Sequence, residues 1–181
     1  MNNKTNQKLN SKLNSLLTQY DDFQKRKEEE REYEKSDQEA FIEEFTKIQN
    51  DTIRPVFERI KVKIESRGHK VYIETEEPSW DAEKNLVVEP LISFNLELLI
   101  KEEKYKSQYY RTSDLPNLCF VCNSSAKKIW ARECTIGQGH GGHSGSRGAL
   151  LTTEQVTEEI VEKKLLGWLE DLINDATPSY Y

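Results

Sequence analysis

The rhythm of apolar and polar positions divides the chain into a helical first third, a strand-forming middle and a helical end. Leu9, Leu13, Leu16, Tyr20 and Phe23 recur at spacings of 4, 3, 4 and 3. That is the a/d pattern of two heptads on one side of a helix. The stripe stops after Phe23, and QKRKEEEREYEK follows. Both signs occur in this run, many of them three or four apart, so it reads as a solvated helical spacer. Residues 1–35 are therefore a helical arm with a charged spacer.

A second helix is expected from Ser36, where SDQE fits a capping box with Ser36 as N-cap and Glu39 answering it. Phe41, Phe45, Ile48, Thr52, Val56, Ile60 and Ile64 share one face, widened by Ile42, Ile53 and Phe57. Pro55 either bends this helix or starts another after Asn50 or Asp51, and Gly68 ends it. The period then changes to 2. HKVYIETE alternates, and LVVEPLISFNLELLI is the strongest strand signal. Beyond Pro90, which marks a bulge or the strand start, Ile92, Phe94, Leu96, Leu98 and Ile100 fall on one side. Ser93, Asn95 and Glu97 fall on the other, the side expected to meet water. NLCFVCN and KKIWARECTI read as a hairpin across SSAK. Thr152 or Thr153 is the expected cap of a last helix striped by Val156, Ile160, Leu165, Trp168, Leu169 and Leu172.

No helical crossover separates the strands. The pattern predicts an α+β fold, a mostly antiparallel sheet of about four strands packed by a long N-terminal helical region and a C-terminal helix. The compact α+β domain covers 36–176, and 177–181 form a fraying tail.

Composition narrows the function. Charged residues make up 32 % of the 181 positions, with a formal net charge of -6. That mild acidity weighs against a general polyanion binder. No apolar run is long enough for a transmembrane helix or a signal peptide, and the three cysteines are an odd count. A reduced, cytoplasmic chain without membrane association is the expectation.

Three sets of residues carry candidate chemistry. Cys119, Cys122, Cys134, His140 and His143 form C-x2-C-x11-C-x5-H-x2-H, from which zinc could draw four ligands. Against it, strand periodicity places Cys122 with Leu118 and Phe120 and turns Cys119 to the other face with Val121. Lys127, Lys128, Trp130 and Arg132, with the tyrosine-rich KEEKYKSQYYRTSD before them, supply charge and stacking for nucleic acid. The loop GQGHGGHSGSRG has neither P-loop spacing nor the βαβ setting of a dinucleotide site, and HSGSRG is no nucleophile elbow. Its glycines serve a flexible connection, with anion capture by Arg147 and backbone amides as the chemical alternative.

No catalytic constellation, cofactor or small-molecule substrate emerges, so a non-enzymatic role is favoured. The leading expectation is a small protein-interaction or assembly module. Leu9, Leu13, Leu16, Tyr20 and Phe23 would contact a protein partner or a second copy. A nucleic-acid-associated accessory protein and a zinc-binding module are the alternatives.

Overall fold

The computed structural model describes residues 3–82, 85–98, 115–134 and 144–176, with side chains omitted at 3–9, 175 and 176. The order is α1 (Asn3–Ile48), a π-helical turn (Gln49–Ile53), α2 (Arg54–Glu65), β1 (Lys70–Glu76), β2 (Ser79–Trp80), β3 (Leu86–Val88), β4 (Leu91–Glu97), β5 (Asn117–Asn123), β6 (Lys128–Cys134), β7 (Ser144–Ser146), a 3-10 turn (Thr153–Gln155) and α3 (Glu158–Ala176). The α+β class with a mostly antiparallel sheet is as the pattern predicts. Among the described residues the sheet is larger than expected: five strands in the order β1-β4-β5-β6-β7, all pairs antiparallel, with β2 and β3 as a separate ribbon. Two compact units divide at Ala40/Phe41.

Three local expectations are corrected. Ser36 caps nothing; it lies inside α1, which runs on to Ile48. Pro55 does stand at a helix start, but later than Asn50 or Asp51: it lies in the first turn of α2, which begins at Arg54 directly after the π-helical turn. The N–H of Arg54 reaches back five residues to the Gln49 carbonyl, and the π turn ends where Pro55 enters α2. Proline has no N–H to give, so a wider turn just before it accommodates the lost bond. At the other end, Thr152 closes a capping box with Gln155 over the 3-10 turn. The cap of α3 is Thr157, whose Oγ1 accepts from the Ile160 N–H at 3.3 Å.

The second unit is built on a two-sided sheet. In register, Ile73, Phe94 and Leu118 line up on adjacent strands, as do Thr75, Ile92 and Phe120. Except for the exposed Thr75, these residues, with Cys122, Ile129 and Ala131, face Phe45, Ile53, Val56, Phe57 and Ile60 from the first helical region and Val161, Leu165, Trp168 and Leu172 from α3 in one core. Phe57 meets Phe94 edge-on at 5.2 Å, and Phe94 meets Trp168 at 6.3 Å and 82°, the geometry that ring quadrupoles favour. Arg59 ties α2 to α3 through Glu158 and Glu162, both at 3.1 Å. Pro90 separates β3 from β4, as its missing donor requires.

Candidate functional site

In the first unit, Leu13, Leu16, Tyr20 and Phe23 fall on one side of α1 and are 52 to 60 % exposed. Leu17, which strict heptad spacing misses, is 52 % exposed. At about 100° per residue it extends the stripe to an arc of about 120°. The side chain of Leu9 lies outside the described residues. Lys27 Nζ stands 6.0 Å from the Phe23 ring centre, and Lys25–Glu29 and Glu28–Arg31 are exposed pairs along the same helix.

In the second unit, the sheet face turned away from the helices carries the remaining candidates. Period-2 alternation puts Cys122 into the core and Cys119 on the opposite face. The two thiols of CFVC are thus separated by the sheet itself. Cys134 shares the face of Cys119, since Asn117 pairs with Cys134 and Cys119 with Arg132. None of the three forms a disulfide. His140 and His143 lie outside the described residues, among which no group of three metal-ligating side chains occurs. Burial, and secondarily Glu89, pushes the Cys122 thiol up to about 12. Cys119 is also pushed up by burial, with Arg132 pulling the other way.

Of the nucleic-acid candidates, Lys127 sits in the β5–β6 turn with φ 50°. Lys128, Trp130 and Arg132 alternate along β6 on the face of Cys119, and the Arg132 guanidinium lies 5.8 Å from the Trp130 ring. The tyrosine-rich stretch 99–114 lies outside the described residues. Strand β1 presents Glu74 and Glu76 on the same face, so that face carries both signs.

Four polar residues that periodicity assigned to water or left unassigned form the floor of this face. Ser93 and Asn95 are buried, Asn95 to 2 % exposure, together with Cys119. They differ from the expected solvent-facing row because β4 is flanked on both sides, by β1 and β5. Asn95 Nδ2 donates to the Tyr72 carbonyl at 3.1 Å and to Ser93 Oγ at 2.9 Å. Asn117 Nδ2 donates to the Leu115 carbonyl, and the Cys119 thiol donates to Asn117 Oδ1 at 3.1 Å. Above them is a cavity of about 580 Å³ bordered by Glu74, Glu76 and Arg132. The strand spacing could have flagged the polar row; its burial needed the neighbouring strands.

The glycine loop is partly a strand. Residues 144–146 add the edge strand β7 to β6; 135–143 lie outside the described residues. Arg147 is engaged: its guanidinium bonds Glu133 and reaches Asp171 at 2.8 Å, while Lys164 donates to its carbonyl. It crosses α3 over Gly167, where a Cβ would stand 2.7 Å from Nη2. The anion role suggested for Arg147 gives way to an internal clasp between the sheet and α3.

The fold and these surfaces define the chain as an α+β protein with an exposed amphipathic helix. No protein-family model, curated protein or solved structure matches it.

Proposed function

We propose that this chain is a protein-interaction or assembly module that acts through α1, and that its partner is a second copy paired antiparallel to it. The observation that carries this reading is the exposed stripe of Leu13, Leu16, Leu17, Tyr20 and Phe23. Burying such side chains against a partner helix is favourable by roughly 1.5–3 kcal/mol for each one fully covered. Two heptads alone make a weak pair, so the flanking charges set orientation and part of the affinity.

Those charges are segregated along the helix. Residues 1–20 contain three lysines and no carboxylate, whereas 21–40 contain nine carboxylates and five lysines or arginines. A parallel pair would set like against like. An antiparallel pair sets the basic first half against the partner's acidic second half and matches Leu13 with Phe23 and Leu16 with Tyr20 in a-to-d layers. The mixed signs on the sheet face give no comparable support to a polyanion, which is why the arm is preferred.

Light scattering of the full chain tests the reading. The expected result is a concentration-dependent dimer that Leu16→Asp converts to a monomer, with a thermal melt matching that of wild type diluted to its monomeric state, because Leu16 is exposed. A wild-type chain that stays monomeric at high concentration overturns self-association.

A further inference from the structure

The cavity on the open sheet face is independent of the arm, and its charge layout is specific. The register aligns Glu74, Ser93, Cys119 and Arg132 on four successive strands. Arg132 leans inward, its Nη2 4.0 Å from Cys119 Sγ, so its charged head is drawn toward β5. Glu74 lies two strand spacings further, about 10 Å away, with Glu76 beside it on β1. Between the two signs lie Ser93, Asn95, Asn117 and Cys119. Carboxylates close one end of the cavity and a guanidinium approaches from the other, over a hydroxyl, two amides and a thiol.

We propose that this cavity binds a small zwitterion of dipeptide length, its carboxylate on Arg132, its ammonium on Glu74 and Glu76, and its peptide group over the Asn95–Asn117 row. The length follows from the spacing. The Arg132 head, between β5 and β6, stands two to three strand spacings or about 10–14 Å from Glu74; less one ion-pair contact of about 3 Å at each end, this leaves roughly 4–8 Å between the ligand's charges. Two extended residues span about 7 Å, and the cavity of about 580 Å³ has room for them. A polyanion would meet Glu74 and Glu76, and a polycation would meet Arg132; a ligand bearing both signs satisfies each end. Arginine presents the planar fork that a carboxylate accepts from two nitrogens.

Titration of the full-length protein with alanylalanine, followed by amide chemical shifts, tests this. The expected result is saturable binding that moves the amides of Ser93, Asn95, Asn117 and Cys119. Acetylating the ligand's amine or amidating its carboxyl should each weaken binding about tenfold, the loss of one charge-assisted contact. Arg132→Gln should weaken the free dipeptide by a similar factor and leave the amidated ligand within about twofold, since the contact it removes is already absent. Glu74→Gln should behave in the same way toward the acetylated ligand. No saturable shift at about 10 mM ligand, or equal binding of free and doubly capped dipeptide, overturns the proposal. Both variants alter side chains outside the hydrophobic core, and their melts report independently on folding.

Discussion

Replacing Arg147 by alanine should destabilise the second unit by about 2 kcal/mol. A fully buried ion pair costs roughly 3–5 kcal/mol when one partner is removed, because the other charge stays desolvated. Here the side chains of Arg147 and Glu133 retain 20 % and 13 % of their exposure, so solvent screens part of the loss. Lys164, whose charge also feels Glu133, offsets more of it, which brings the figure to about 2 kcal/mol. The second arm of the clasp is different. Asp171 is 59 % exposed, and Asp171→Ala should cost under about 1 kcal/mol. The double variant Arg147→Met, Glu133→Leu removes both charges together, so no carboxylate is left stranded, and it should recover most of the loss. Urea unfolding followed by tryptophan fluorescence gives the midpoints, with constant m-values licensing the comparison. Equal costs for Arg147→Ala and Asp171→Ala, or a double variant as unstable as the single one, would refute the assignment of the clasp to its Glu133 side.

Gly167→Ala should gain about 1 kcal/mol from helix propensity in the Arg147→Ala background; in the wild type the gain should shrink or reverse, because the new methyl displaces the guanidinium, and a double-mutant cycle by urea unfolding reads the difference. The Cys122 thiol should make stability fall with rising pH. Its folded pKa of about 12 lies above the ordinary value of 9.0, so the unfolded chain ionises first and its contribution is complete below pH 9 and lost between about 9 and 12. Its slope in that window is at most about 1.4 kcal/mol per pH unit, and Cys122→Ala should be measurably less pH-sensitive than wild type between pH 8 and 10.5 in paired urea titrations; identical pH dependence would count against it.

Strand periodicity was the most legible feature of the chain. It separated Cys119 from Cys122, because side-chain direction in a strand depends only on parity. The interruption expected at Ser36 failed for a local reason. A capping box is a short signal, and Glu34, Lys35, Gln38, Glu39 and Ala40 around it are strong helix formers. Strand β7 was illegible because Ser-Gly-Ser has low strand propensity, and only pairing with β6 holds it extended. The burial of Ser93 and Asn95 needed strand order, which no alternation supplies. Leu17 was passed over because it sits beside, not on, the a/d seam; a wider apolar arc would have included it. The clasp of Arg147 over Gly167 joins positions twenty residues apart across a loop and a helix, a contact that spacing alone does not reveal.

The distance between a spin label at Lys12 in one copy and a label at Arg26 in the other tests the central claim most directly. Copies carrying each label are mixed and measured by dipolar coupling between electron spins. Antiparallel pairing predicts a short separation, about one helix diameter or roughly 10–12 Å plus the label arms. A parallel pair would separate the labels by an axial offset of fourteen residues, about 21 Å, before any label length is added. That longer distance would contradict the antiparallel arrangement, and the absence of coupling between copies would contradict self-association through α1.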